Sequence, residues 1–332
     1  MMIDLAETTT GHIRDALRQA RQRLGGPASG MVLTLVIVTD ETSQYDAVRA
    51  ASEAAREHPM RVLAVITRRP DAGSRLDAEI RVGETGPGEI VLLRMYGPLG
   101  QHADSVVTPL LMPDTPVVTW WPGSPPLVPS GHPLGALAQR RITDAASAAS
   151  TRQCLSALGS HYRPGDTDLS WTRATPWRSL LAATLDQPHG SISGGTVEAE
   201  QGNPTADLIA SWLSVRLGVF FKNVVSAGPG VTGVTFNTSD GDIGVTRPDG
   251  RVAVLSKPGE PERRVALHRR EIAELLAEEL RRLDPDEVYG ETVQPLATHA
   301  PTGRRGGGTR KRNTEQGPGR APGADVSGGR LR

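Results

Sequence analysis

Cysteine is almost missing from this sequence: Cys154 stands alone in 332 residues. One thiol excludes an intrachain disulfide and any metal site built on paired cysteines, and it points to a reducing, cytoplasmic setting. Aromatic residues make up only 4% of the chain, so Ala, Val, Leu and Gly must supply most of the packing. No run approaches the roughly 18 apolar residues that a spanning helix needs. The N-terminal stretch MMIDLAETTTGHIRDALRQARQRLGG mixes acids with bases and lacks the apolar centre of a signal peptide. Net charge is also missing, with 37 Lys and Arg against 37 Asp and Glu. That balance hides an asymmetry. From Pro301 onward, eight basic residues face only Glu315 and Asp325, a net of +6, so the first 300 residues carry −6.

Several motifs are absent as well. After the apolar run LVIV the chain reads TDETSQYDAV, without the G-x-G-x-x-G of a dinucleotide site. Asp40 and Glu41 would repel a phosphate at the following helix N-terminus. No phosphate-binding loop, nucleophile elbow or H-E-x-x-H motif occurs. The eight histidines are scattered, none at ligand spacing from another, and each reads first as an ordinary polar residue. Cys154, within an Ala-rich helix, reads as a small buried hydrophobe rather than a nucleophile. The residues therefore point to no catalytic set, no metal and no cofactor.

What is present is a strand–helix–strand rhythm. MVLTLVIVT (31–39) and RVLAVIT (61–67) flank a helix at 43–57, a βαβ unit with a parallel sheet. Helix 12–24 precedes it. LDAEIRV (76–82) alternates like an edge or antiparallel strand, EIVLLRMYG (89–97) is another strand, and 102–112 reads as a helix ending before Pro113. PVVTWWP is a strand closed by proline. A helix at 144–158 and a short one opening at Pro176 follow. NPTADLIASWLSVRLG has Asn203 as N-cap, Pro204 in its first turn and Gly218 past its end. FFKNVVS, VTGVTFNT, IGVTRP and RVAVLSK then read as antiparallel strands joined partly by Asp-Gly turns, and 267–283 as a closing helix. The expected fold is α/β. A Rossmann-like three-layer domain (1–160) precedes an α+β domain with an antiparallel meander (161–295). A disordered Gly/Pro/Arg-rich basic tail (296–332) follows.

Two segments crowd chemistry-bearing residues. The first is PDTPVVTWWPGSPPLVP (113–129), with Trp120 and Trp121 framed by prolines. The second is GDTDLSWTRATPWRSLLA (165–182), with Asp166, Asp168, Trp171, Arg173, Trp177 and Arg178. Between them, QRRITDAAS contributes Arg141 and Asp144. Trp beside Arg can stack, and the Asp residues can fix the guanidinium forks. Such a cluster suits a sugar phosphate, or a protein interface where Trp and Arg are the enriched types. It also suits plain core filling, with Asp166 bracing Arg178. Strand alternation sends Trp120 and Trp121 to opposite faces, one inward and one toward a crevice or partner.

These segments, with LLMPDTPVVTWWPGSPP, PLGALAQRRITDAAS and GDTDLSWTRATPWRSLLA in this order, closely resemble the OpcA family, glucose-6-phosphate dehydrogenase assembly proteins of actinobacteria and cyanobacteria. The resemblance runs from about Met31 to Tyr289. It implies a non-catalytic assembly factor and allosteric activator that binds glucose-6-phosphate dehydrogenase, favours its active oligomer and supports NADPH supply by the oxidative pentose phosphate pathway. The ten residues Trp120, Trp121, Arg141, Asp144, Asp166, Asp168, Trp171, Arg173, Trp177 and Arg178 are then the expected partner-binding set. With Cys154 alone, a thiol switch associated with cyanobacterial members does not carry over. The alternative is a sugar-phosphate- or nucleotide-binding enzyme or sensor that uses the same cluster, and metabolite binding stays open. A weaker third reading is nucleic-acid binding through the basic tail alone. No membrane partner is expected.

Overall fold

Continuous aliphatic runs become strands where helices cover both faces. The computed structural model describes residues 1–24, 30–83 and 88–299. One sheet holds β1 (Met2–Leu5), β2 (Leu33–Thr39), β3 (Met60–Arg68), β4 (Arg75–Val82), β5 (Glu89–Tyr96), β6 (Val117–Trp120), β7 (Arg140–Thr143) and β8 (Asp166–Asp168). Their order is β1-β4-β5-β3-β2-β6-β7-β8. Strands β5, β3, β2, β6, β7 and β8 are parallel, while β4 runs antiparallel to β5 and to β1.

The period of two sorts the core. Leu35, Ile37, Val62, Ala64, Ile66 and Leu92 pack on one face, with α2 (Gln44–Ala54) and α8 (Ile272–Leu280). Val36, Leu63, Val65, Val91 and Leu93 pack on the other, against α1 (Thr10–Leu24) and α3 (Ala103–Val107). The expected three-layer α/β arrangement is present. Its last strand, β8, falls beyond position 160, and α8, far along the chain, returns to pack beside α2.

A second sheet of six strands comprises β9 (Ile192–Ala199), β10 (Phe221–Val225), β11 (Val231–Thr238), β12 (Ile243–Thr246), β13 (Val252–Ser256) and β14 (Arg263–Ala266), in the order β10-β9-β11-β12-β13-β14. Val197, Val234, Phe236, Val245 and Ala253 pack into one core with residues of α5 (Thr151–Ser160), α6 (Leu169–Leu185), α7 (Pro204–Leu217) and α9 (Glu287–Val293). The helix α7 behaves as its caps require. The Asn203 side chain accepts from the Ala206 N–H, and Gly218 takes the left-handed conformation at φ 67°, which glycine adopts without a Cβ penalty.

Four expectations are corrected. FFKNVVS is not antiparallel: β10 pairs parallel with β9, because α7 carries the chain back across the sheet before β10 begins. Pro176 does not open a helix. It lies inside α6, which starts seven residues earlier where Asp168 accepts from the Ser170 N–H. The helix read over 102–112 is reduced to α3 between two 3-10 turns, since Pro109 has no N–H to extend it. The closing helix is confined to α8, which starts where Glu271 and Glu274 form a reciprocal cap. The tail read over 296–332 lies outside the described residues from 300 onward. A 3-10 helix spans Gln294–His299.

Candidate functional site

The turn after β2 fixes one end of the parallel sheet. Asp40 accepts from the N–H groups of Thr42 (2.9 Å) and Ser43 (2.8 Å) and from the Thr42 hydroxyl (2.7 Å). These bonds, the Thr42 hydroxyl first, hold its carboxyl below the usual value. A protein carboxylate thus occupies the donors that a phosphate would use at this helix start.

The two Trp side chains of the proline-framed segment end on different sides. Trp120 belongs to the core beneath α2 and α8. Trp121 meets the His132 ring edge-on, with centroids 5.5 Å apart, and packs over Gly135. A Cβ on Gly135 would sit 1.9 Å from the Pro129 carbonyl oxygen and 3.1 Å from the Trp121 ring, so this turn admits no side chain. The alternation expected for the pair holds. However, covering layers lie on both sides, and Trp120 and Trp121 are only 1% and 3% exposed. Neither side chain opens onto solvent.

Short strands β7 and β8 carry charges inward, each met by a partner about 25 positions away or more. Arg141 pairs with Asp166 through Nε and donates to the carbonyls of Ala138 (2.8 Å) and Pro164 (2.6 Å). Burial nevertheless pushes the Asp166 carboxyl up, against the pull of Arg141. Asp168 accepts from the Thr143 hydroxyl (2.6 Å), the Ala145 N–H (2.9 Å) and the Ser170 N–H (2.8 Å). Its burial, aided by the charge of Asp144, raises its carboxyl above the ordinary range. Arg173 forks onto both oxygens of Asp144, at 2.7 and 2.8 Å. With the Arg163 N–H donating to the second oxygen of Asp166 at 2.8 Å, every oxygen of the three aspartates is used. The expected brace between Asp166 and Arg178 does not form: Asp166 takes Arg141 and the Arg163 N–H, and Arg178 takes Thr175 and Trp171.

Helix α6 presents Trp171 and Arg178 on a flank bordered by α8 and α9. The Arg178 guanidinium lies 3.6 Å above the Trp171 ring centroid. The indole N–H donates to Asp286 Oδ2 at 2.8 Å. Behind them, Arg140 pairs with Glu279, whose other oxygen accepts from the Thr172 hydroxyl at 2.6 Å. The cleft outside this network has a volume of about 810 Å³ and is lined by Trp171, Arg178, Glu278, Arg281 and Asp286. Trp177, 1% exposed, fills the core of the second sheet.

Of the ten expected partner-binding residues, eight are therefore buried: Trp120, Trp121, Arg141, Asp144, Asp166, Asp168, Trp171 and Trp177. Only Arg173 and Arg178 stand partly in solvent. The charged members form a brace that ties β7 and β8 to α6 and α8, and its interior leaves no carboxylate without a hydrogen-bond partner. Residues the sequence reading missed complete that brace: Arg140, Thr172, Arg270, Glu279 and Asp286. Glu279 did leave a signal. It falls four positions after Leu275 on the buried stripe of α8, where an acid needs a buried partner.

Among the described residues, no group of three or more His, Cys, Asp or Glu is placed to hold a metal ion. None of their helices is long and apolar enough to cross a membrane.

Residues 51–160 match the N-terminal domain, and residues 164–293 the C-terminal domain, of the OpcA-type glucose-6-phosphate dehydrogenase subunit. The OxPP cycle protein OpcA of Synechocystis sp. is 28% identical over 138 residues, which are 39% of this chain and 29% of that protein. Less than a third of that relative is thus matched. Among solved structures, KijD10, a 3-ketoreductase from Actinomadura kijaniata, overlaps 80% of this chain and 95% of its own, at 11% identity and a TM-score of 0.46. An oxidoreductase from Sinorhizobium meliloti gives the same coverages at 11% identity and a TM-score of 0.47. Likenesses this weak say nothing of activity. The two domain matches together take in most of the chain, which belongs to the OpcA family of glucose-6-phosphate dehydrogenase assembly proteins.

Proposed function

We propose that this protein is a cytoplasmic, non-catalytic factor that binds glucose-6-phosphate dehydrogenase and favours its active oligomer. The match of both halves of the chain to the dehydrogenase-subunit domains carries this reading. Activation requires tighter binding to the competent state of the dehydrogenase than to the idle one, because equal affinity shifts no population.

Two surface features support a protein partner. Arg178 is stacked on Trp171 and Arg173 is forked onto Asp144, so the exposed parts of the motif cluster are held in fixed positions by buried neighbours. In addition, β10 is an edge strand whose neighbourhood exposes Phe220 (75%) and Val225 (69%). An unpaired edge carrying apolar side chains is a surface that another chain can extend or cover.

Mixing the purified protein with the dehydrogenase tests the proposal. Co-elution and a rise in dehydrogenase specific activity are expected, and Phe220→Asp together with Val225→Asp weakens both. Unchanged activity and separate elution, with both proteins at micromolar concentration, would overturn it.

A further inference from the structure

On the opposite flank of α6 from the Trp171 cleft lies a smaller cavity of about 70 Å³. Its lining includes Arg173, Trp177, Thr205, Arg247, His268 and Arg269. None of these except Arg173 and Trp177 belongs to the motif cluster, and the brace around β7 and β8 does not use Arg247 or Arg269.

Charge is the anomaly here. Arg247 is 5% exposed. It donates to the carbonyls of Leu267 (3.0 Å) and Val231 (2.8 Å), and its buried Nε has no partner. The charges that act on it are Arg269, which repels it, and, more weakly, Asp249. Among the described residues, no carboxylate stands within 4.0 Å of either guanidinium, whereas Arg173 and Arg270 are neutralised by Asp144 and Glu278. A buried cation without a counter-charge is costly, and the other buried arginines, Arg61, Arg140 and Arg141, each pair with a carboxylate. The Arg247 guanidinium is accordingly pushed down to about 10, chiefly by burial.

The two unpaired guanidiniums converge. A Cβ built on Gly230, which lines the cavity, would lie 3.7 Å from Arg247 Nη2 and 3.8 Å from Arg269 Nε. Both forks thus border a single point. The first turn of α7 adds Thr205 on another side, and a helix N-terminus contributes partial positive charge. Trp177 closes the floor, with the Arg247 guanidinium 5.0 Å from its ring centroid. The space is about twice the ~30 Å³ that one water takes in the liquid. It admits one tetrahedral oxyanion but no sugar ring or base.

We propose that this cavity binds the phosphate group of a small phosphorylated metabolite, with Arg247 and Arg269 as the clamping pair and the rest of the ligand projecting past the exposed His268. Arg forks match phosphate oxygens two at a time, and a dianion supplies the counter-charge that the fold leaves out. Phosphate binding at this cavity is independent of dehydrogenase binding.

Titration of the isolated full-length protein with inorganic phosphate, at constant ionic strength against a chloride reference, tests it by calorimetry and by thermal melting. A saturable shift in the millimolar range or below is expected. Arg269→Ala, at an exposed position, should weaken binding at least tenfold without lowering the melting temperature in the absence of phosphate, because it also removes a charge that repels Arg247. A hexose monophosphate and a nucleoside monophosphate identify the source: tighter binding of either ester than of inorganic phosphate assigns the site to that class, and equal binding assigns it to the free anion. No saturable response beyond that of chloride, or equal affinity in Arg269→Ala, overturns the proposal. Arg247→Met provides a second check. If it folds, it loses phosphate binding as well, and retained binding would rule out the clamp.

Discussion

Arg270 donates to the carbonyl oxygen of Thr172, the acceptor that the helix itself leaves unused. Four residues further on stands Pro176, inside α6, with no N–H to make the i→i−4 bond. A residue from outside the helix thus repairs the gap that proline opens, and the same guanidinium pairs with Glu278 on α8. The proline sets no helix boundary. It creates an attachment point between α6 and the segment that leads into α8.

A double-mutant cycle measures this repair. Arg270→Ala leaves the Thr172 carbonyl without its donor and should cost about 1–3 kcal/mol in denaturant unfolding. In a Pro176→Ala background a backbone N–H becomes available for that carbonyl, so the same Arg270→Ala step should cost less. Equal costs in the two backgrounds would show that Arg270 stabilises only through Glu278.

Asp168 should be intolerant even of its isosteric amide. One of its oxygens accepts from the Thr143 hydroxyl and the Ala145 N–H, the other from the Ser170 N–H. In Asp168→Asn, whichever position becomes the NH₂ group faces a backbone N–H. The variant should therefore lose about 1–3 kcal/mol, measured by urea unfolding. A loss within error would mean that relief from burying the carboxylate offsets the mismatched donors.

How much of this was legible beforehand depended on the range of the interaction. Asn203, Pro204 and Gly218 act within one helix, and the sequence marked both ends of α7 within a residue. Alternation likewise assigned Trp120 and Trp121 to opposite faces, though it carries no information about what covers each face. The misreadings share a cause. Asp166 and Asp168 lie in a three-residue strand, too short for alternation to mark, and their partners Arg141 and Thr143 stand 25 positions away. Pro176 reads as a helix start because the donor that rescues its helix, Arg270, is 94 positions away. The cluster was therefore found, but its exposure was not, because burial of a charge depends on partners that local spacing does not reveal.

Cys154 should be a slow nucleophile. Burial first, then the charges of Asp168 and Asp144, push its thiol up to about 12, so thiolate is nearly absent at neutral pH. At mildly alkaline pH an aromatic disulfide reagent should modify the native protein far more slowly than the urea-unfolded protein, whose thiol returns to roughly 8.5. Comparable rates would mean that the thiol is open to solvent.

His132 should make stability fall on mild acidification. Its Nδ1 accepts from the Leu134 N–H at 3.2 Å, a bond that only the unprotonated nitrogen can take. Burial lowers its pKa, with Asp104 opposing. The folded state thus holds the proton more weakly than the unfolded state, where the value is about 6.5. The contribution of His132 is complete above that unfolded value and is lost as pH falls through the folded one. The slope cannot exceed one proton, about 1.4 kcal/mol per pH unit. Urea midpoints recorded between about pH 7.5 and 5.5 should drop, with a change in tryptophan emission as Trp121 loses its edge-on neighbour. His132→Asn retains an N-cap acceptor but does not titrate, so its midpoint should be flatter over the same range. If the variant and the wild type lose stability in parallel, the acid sensitivity belongs to another group.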